Sequence, residues 1–189
     1  MQNPVLQPRL ISAESRMLQN ADKADEALEV LSQGLEQYPD NGDLLYSRAL
    51  TADSTGNPDL LIDDLSRLIE LEPDNAHAMN ALGYHYADNN IELDKAEELL
   101  SKAIELLPAD PAILDSVGWL RYRQGRIDEA IALLREAFKL LPDPEIAAHL
   151  AEALWINGAQ AEAEVLLTQA LLDSPDDDNL LRVKRQYLE

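Results

Sequence analysis

Cysteine is absent from this chain of 189 residues, which excludes both a disulfide framework and a cysteine nucleophile. The absence is typical of an oxidising compartment such as the periplasm, where stray thiols are selected against, and a cytoplasmic location is the alternative. The apolar stretches are too short to span a bilayer, and the first ten residues lack a basic region followed by a long apolar run. We therefore expect no direct membrane insertion of this segment.

Basic residues are scarce. The chain has 15 lysines and arginines against 36 aspartates and glutamates, a formal net charge of -21. Such a charge repels the phosphate backbone of nucleic acids and anionic lipid surfaces. Nucleic acid is therefore not expected as a partner, and the charge also favours the solubility of an extended protein.

Patterns that carry catalysis or bind cofactors are also missing. The sequence has no glycine-rich phosphate loop and no nucleophile elbow, and no pair of carboxylates stands alone in an apolar setting. The three histidines are too far apart for a compact metal site, except that His77 and His85 lie eight residues apart on one predicted helix. We predict no catalytic residue, no cofactor and no metal, and hence a protein that is not an enzyme.

The clearest positive feature is a repeated proline. Intervals of 34, 35, 34 and 33 residues separate Pro39, Pro73, Pro108, Pro142 and Pro175. A repeat of about 34 residues cannot bury a core alone and becomes stable by stacking on its neighbours. We predict a single array over residues 1–189, with repeats at 8–41, 42–75, 76–110, 111–143 and 144–177 and a capping helix at 179–189.

Each repeat divides into two predicted helices. In the third repeat, residues 76–88 and 95–107 both carry apolar or small residues at the spacing of one helix face. The loop between them is one residue longer than its counterparts and contains asparagine, which tolerates a left-handed conformation. In three other repeats the first helix is followed by a glycine that can end it: Gly56, Gly125 and Gly158.

These residues resemble the tetratricopeptide repeat (TPR). The third repeat has the motif residues Leu82, Gly83, Tyr86, Ala96, Leu100, Ala103 and Pro108. The resemblance implies an all-α solenoid, a right-handed superhelix of helix-turn-helix repeats with a C-terminal capping helix. It also implies that the first helix of each repeat lines a concave surface, which binds a protein or peptide.

The resemblance places the partner-binding residues on the exposed side of the first helices. The preferred anchors among them are four aromatic residues, because aromatic side chains dominate binding hot spots: Tyr84, Trp119, Tyr122 and Trp155. Packing between adjacent repeats is the alternative for each. No lysine lies on the first helices, so a lysine-based clamp for a peptide carboxylate is not expected. The predicted set is Tyr46, Asp53, His77, Asn80, Tyr84, Asp88, Asp115, Trp119, Tyr122, Arg123, Glu152 and Trp155.

Three arginines, Arg121, Arg123 and Arg126, are clustered in the fourth repeat. Such a cluster can meet an acidic segment of a partner. The alternative is that these arginines form solvated salt bridges with Asp128 or Glu129.

A narrower resemblance covers residues 115–125 and 141–150, which look like the C-terminal part of proteobacterial TPR outer-membrane lipoproteins. Those proteins act as adaptors that bring a carboxyl-terminal processing protease to its cell-wall hydrolase substrates. The resemblance implies that this chain is a C-terminal segment of a longer, periplasmic protein tethered to the outer membrane. It implies the protease or the hydrolase as partner.

The expected function is that of a non-catalytic scaffold or adaptor that binds a partner protein or peptide in its concave groove. One alternative is a self-association module that forms a homo-oligomer. A second alternative is the regulatory arm of an enzyme.

Overall fold

The computed structural model describes residues 6–188, which form eleven α-helices and no strand. The predicted all-α fold is confirmed. Ten of these helices form five successive pairs, and α11 (Asp178–Tyr187) follows the last pair. The first helices of the pairs are α1 (Leu6–Gln19), α3 (Gly42–Ser54), α5 (Ala76–Asp88), α7 (Pro111–Arg123) and α9 (Pro144–Ile156). The second helices are α2 (Ala24–Gln37), α4 (Pro58–Leu71), α6 (Leu93–Leu106), α8 (Ile127–Leu140) and α10 (Gln160–Asp173). The predicted membership of residues 1–5 in the array and of Glu189 in the capping helix lies outside the described residues.

Helix starts follow from local chemistry. Proline opens α4, α7 and α9, where its missing N–H costs no hydrogen bond and its fixed φ suits the first turn. Side-chain oxygens cap other starts: Oδ1 of Asn41 accepts from the N–H of Leu44 at 3.0 Å, and Oδ1 of Asn75 accepts from that of Ala78 at 3.0 Å.

The turns inside the pairs confirm the roles predicted for glycine and asparagine. The three predicted glycines have φ values of 72° at Gly56, 75° at Gly125 and 85° at Gly158. In the longer loop between α5 and α6, Asn90 has φ 54° and Glu92 has φ 45°. The extra residue of that loop is therefore accommodated by a second left-handed position, which glutamate rarely adopts.

The chain divides into two compact units, one up to Leu82 and one from Gly83 onward. In the first unit, α1 packs on α2, α3 packs on α4, and α3 also contacts α1 and α2. The core contains fully buried leucines such as Leu31, Leu44 and Leu65. Beside them Arg48 donates to both carboxylate oxygens of Asp64, each at 2.7 Å, and Asp64 is only 3% exposed.

In the second unit, α7 packs on α8 and α9 on α10, while α11 packs on both α9 and α10. Leu180 and Val183 are the buried residues of α11. A Cβ built on Gly118 would lie 2.8 Å from Cγ of Leu134, and one on Gly83 would lie 2.7 Å from Cγ of Leu100. Small residues therefore occur where the two helices of these pairs cross, because a larger side chain would force the helices apart. The single array over residues 1–189 stays a prediction.

Across residues 6–188 no helix combines the length and apolar character that a bilayer span requires. Nor do these residues contain a group of three or more His, Asp and Glu side chains placed to hold a metal ion.

Candidate partner-binding surface

Trp119 of α7 is buried in the second unit and is only 1% exposed. Its indole stacks on the His149 ring at 4.1 Å with an interplanar angle of 17°, and on the Tyr122 ring at 4.7 Å and 8°. The guanidinium of Arg123 lies 4.7 Å from the indole centroid, within the range of a cation–π contact. We call Tyr122, Trp119 and His149 the aromatic column.

Asp88, at the end of α5, accepts hydrogen bonds from Trp119 of this column and from Arg123. The indole Nε1 donates to Oδ1 of Asp88 at 3.0 Å. Nη2 of Arg123 donates to the main-chain oxygen of Asp88 at 2.7 Å and contacts Oδ1 at 3.4 Å. The buried indole N–H is therefore satisfied, and polar contacts join the end of α5 to α7.

His149, one member of the aromatic column, forms a buried pair with Asp115. Nδ1 of His149 lies 3.0 and 3.1 Å from the two carboxylate oxygens, and the two residues are 3% and 5% exposed. Burial alone would lower the pKa of His149, but the charge and hydrogen bond of Asp115, with the charges of Glu145 and Asp88, raise it above its ordinary value. The pair therefore favours the protonated imidazole within the fold.

Two tyrosines extend the network towards other helices. The hydroxyl of Tyr84 donates to Oε1 of Glu145 at 2.5 Å, and burial together with that carboxylate raises the pKa of Tyr84. The hydroxyl of Tyr122 donates to Oε1 of Glu152 at 3.1 Å.

Glu152 is also held from α11. It accepts from Nη1 of Arg182 at 3.0 Å and from the hydroxyl of Tyr187 at 3.4 Å. The Tyr187 ring lies 5.4 Å from that of half-buried Trp155. First helices α5, α7 and α9 are thus joined with α11 into one connected set of contacts.

The structure joins eight of the predicted partner-binding residues in one network of the second unit, either directly or through His149 and Tyr187: Tyr84, Asp88, Asp115, Trp119, Tyr122, Arg123, Glu152 and Trp155. For Trp119 the packing alternative fits, because its indole has almost no exposed area. A role in partner binding stays a prediction for the set.

Sequence reasoning missed His149, Glu145, Arg182 and Tyr187 as members of this network. A signal for His149 was present: it follows Asp115 by 34 residues, one repeat period, so the two occupy equivalent places on neighbouring first helices. Tyr187 follows Glu152 by 35 residues, again about one repeat period, whereas the interval of 30 residues between Glu152 and Arg182 gave no such signal.

The arginine cluster resolves into separate ion pairs. Nε of Arg126 donates to Oε1 of Glu129 at 2.8 Å, as the salt-bridge alternative predicts. Arg121 instead pairs with Glu97 on α6, whose pKa is lowered chiefly by that hydrogen bond. The expectation that Asp128 or Glu129 pairs with Arg121 and Arg123 is wrong, because these side chains extend towards α6 and the end of α5 rather than along the start of α8.

The first unit has an open cleft of about 690 Å³ between α1 and α3, bounded by the end of α4 and the start of α5. Of the predicted residues, Tyr46 and His77 line it; Asp53 is exposed outside this lining. Asn80 does not line it either, and its buried Oδ1 has no hydrogen-bond partner among the described residues. The lining residues are Arg9, Ser12, Ala13, Arg16, Gly42, Asp43, Tyr46, Ser47, Leu68, Glu72, Asn75 and His77.

The tetratricopeptide repeat family model matches residues 62–111 and 118–179, which is more than half of the chain. The chain belongs to the tetratricopeptide repeat family. Its successive pairs of α-helices agree with this assignment.

Curated relatives of this TPR chain are longer proteins. It is 46% identical over 147 residues to a TPR repeat-containing protein of Pseudomonas aeruginosa, a match that covers 78% of this chain and 25% of the relative. It is 29% identical over 149 residues to the mitochondrial import receptor subunit TOM70 of Rattus norvegicus, covering 77% and 24%. The TPR chain therefore spans about a quarter of the length of these relatives.

Solved structures share the fold. A TPR protein of Thermus thermophilus superposes with a TM-score of 0.82 at 23% identity, covering 96% of this chain and all of that one. The Cut9–Hcn1 hetero-tetramer of the APC/C gives a TM-score of 0.86 at 21% identity, covering 96% and 36%. At these identities the likeness establishes the TPR fold alone.

Proposed function

We propose that this chain is a non-catalytic scaffold that binds a partner protein through the cleft in its first unit. The TPR fold itself suggests protein–protein interaction, and the open cleft between α1 and α3 is the observation that carries the choice of site. The alternative site at the aromatic column is less suitable, because its side chains are engaged with one another and Trp119 has almost no surface to offer.

We further propose that the full-length protein is a periplasmic adaptor tethered to the outer membrane and that its partner is a carboxyl-terminal processing protease or a cell-wall hydrolase substrate. The resemblance of residues 115–125 and 141–150 to adaptors of this kind supports the proposal. The 46% identity to a TPR protein of Pseudomonas aeruginosa is compatible with it.

Site-specific photo-crosslinking in the native envelope tests both statements. A crosslinking amino acid at position 77 replaces the exposed His77 inside the cleft, and one at position 165 replaces Val165, which is 70% exposed on α10, as the matched control. We expect a carboxyl-terminal processing protease or a cell-wall hydrolase to be linked from position 77 and not from position 165. If position 77 is linked only to proteins other than such a protease or hydrolase, the proposal of a periplasmic adaptor is wrong. If nothing is linked from position 77, the proposal that a partner binds in the cleft is wrong.

Self-association is a second candidate, favoured by exposed apolar side chains on α1. Leu6 and Leu10 are each 55% exposed and Met17 is 73% exposed, and at 100° per residue all three lie within a narrow arc of the helix. Sedimentation velocity at several concentrations tests this candidate. A wild-type chain that dimerises and a Leu10→Ser variant that stays monomeric would support it, and a monomeric wild-type chain would reject it.

A further inference from the structure

Two arginines of the cleft form no ion pair with any residue that the structure describes, although acidic residues dominate the chain. Seven of the ten arginines form salt bridges among the described residues, whereas Arg9, Arg16 and Arg185 form none, and of these three only Arg9 and Arg16 line the cleft. Both line the cleft from α1. Their guanidinium groups therefore offer several hydrogen-bond donors to a ligand that enters the cleft.

A third polar group on α1 supports this view of the cleft. Ser12 lies between the two arginines in sequence, and its buried Oγ has no hydrogen-bond partner among the described residues. Ser12 precedes Tyr46 by 34 residues, so these two cleft residues are related by one repeat, as Asp115 and His149 are in the second unit. In the second unit the two residues related in this way pair with each other, whereas in the first unit both line the cleft.

The opposite wall of the cleft carries acceptors. Asp43 lies in the first turn of α3, where the helix dipole stabilises its charge, and Glu72 accepts a hydrogen bond from Nδ2 of Asn75 at 2.7 Å. Neither carboxylate forms an ion pair with Arg9 or Arg16, although all four residues line the same cleft. The wall formed by α1 is thus rich in hydrogen-bond donors, which suit the acidic side chains of a peptide. The opposite wall is rich in acceptors, which suit the main-chain N–H groups of a peptide.

We propose, as a refinement that rests on the function proposed above, that this cleft binds an extended acidic peptide segment of the partner through Arg9 and Arg16. The two arginines are seven residues apart on α1, which corresponds to about 10.5 Å along the helix axis. In a polyproline II peptide, residues i and i+3 lie on one side and about 9.3 Å apart. In a β-strand, the same-side spacings are about 6.6 Å and about 13 Å. The spacing of the two arginines is nearest to that of i and i+3 in polyproline II, so the proposed ligand carries two carboxylates three residues apart.

The net charge of the chain does not prevent such binding. At physiological ionic strength the screening length is about 8 Å, so acidic residues on remote helices contribute little inside the cleft. These remote acidic residues slow the approach of an acidic peptide, whereas the arginines attract its carboxylates once the peptide is in contact with the cleft.

The test measures binding of short fluorescent peptides by anisotropy. The test peptide carries glutamates at i and i+3 in a proline-containing sequence; one comparison peptide carries glutamines there, and another carries glutamates at i and i+2. We expect the glutamate i, i+3 peptide to bind most tightly, and Arg9→Ala and Arg16→Ala each to weaken it about fivefold, as exposed charge pairs do. Arg67→Ala, which removes an exposed arginine of α4 outside the cleft, is the matched control and should leave the affinity unchanged.

Three results would overturn the proposal: equal binding of the glutamine peptide, an equal loss on Arg67→Ala, or no binding of any peptide. Self-association that Arg9→Ala abolishes would also overturn it, because the cleft would then hold a second copy of the chain. Photo-crosslinking from position 77 distinguishes a failure of the acidic-peptide proposal from a failure of the proposed scaffold function. A partner that is still linked in the Arg9→Ala, Arg16→Ala double variant leaves the scaffold intact and removes only the acidic-peptide assignment.

Discussion

Replacing Trp119 with alanine should destabilise the second unit. The indole is 1% exposed, stacks on His149 and Tyr122, and donates its N–H to Asp88. Truncation of a buried tryptophan to alanine costs about 3–5 kcal/mol in the free energy of unfolding. We expect a loss within this range that comes from packing, because Asp88 is exposed and its Oδ1 keeps the contact with Nη2 of Arg123 when the indole is removed.

Urea denaturation followed by far-UV circular dichroism measures this loss. Val165→Ala on α10 is the control, since Val165 is 70% exposed and its truncation should change the free energy of unfolding by about 0.5 kcal/mol or less. Trp119→Phe keeps most of the ring packing and removes the N–H donor, so it should cost about 1–2 kcal/mol. A loss below about 1 kcal/mol for Trp119→Ala would refute the reasoning, because the indole would then be dispensable for packing.

This prediction changes how a binding experiment on the aromatic residues is interpreted. The sequence favours Trp119 as an exposed anchor, so that its removal would weaken partner binding and leave the fold unchanged. With a buried indole, a loss of binding in Trp119→Ala reports a loss of structure as well. Trp155 is half-buried, and its replacement is the cleaner test of an aromatic contact.

Three further predictions concern packing, charge and pH. Gly118→Leu should cost about 1–3 kcal/mol by overpacking the crossing of α7 and α8, and an unchanged melting temperature would contradict the observed crossing. Arg48→Ala should cost about 3–5 kcal/mol in urea denaturation because it leaves the buried carboxylate of Asp64 unpaired, and a loss like that of a surface charge would refute this. The pKa of His149 is raised in the fold, so its stabilising contribution is full below the unfolded value of about 6.5 and is lost as the pH rises through the folded value. Asp115→Asn should remove that part of the pH dependence of the urea midpoint, and an unchanged dependence would contradict the pairing.

The helices could be predicted from sequence because their signals are local. The predicted first helix of the third repeat, residues 76–88, matches α5, and the predicted second helix, residues 95–107, matches α6 within two residues. Proline, glycine and asparagine act on their own backbone, so their effect does not depend on which other helices lie nearby. The predicted turns at Gly56, Gly125 and Gly158 were confirmed for this reason.

The contacts between side chains on different helices could not be predicted in the same way. Arg121 could reach acidic residues of either the preceding or the following second helix, and only the packing of α6 against α7 selects Glu97. The burial of Trp119 depends on side chains from elsewhere in the second unit, such as His149 of α9, whose ring stacks on the indole. The cleft of the first unit was missed for a similar reason, because it depends on the spacing of α1 and α3 rather than on a residue pattern.

The two tryptophans provide the chain with separate spectroscopic reporters. Trp119 is enclosed among rings and should emit at short wavelength, whereas Trp155 is half-buried beside Tyr187 of α11 and should emit at longer wavelength. If α11 detaches while the rest of the second unit stays folded, only the Trp155 emission should shift further to the red. Variants with a single tryptophan would therefore distinguish fraying of the C-terminal helix from melting of the repeats without any added label.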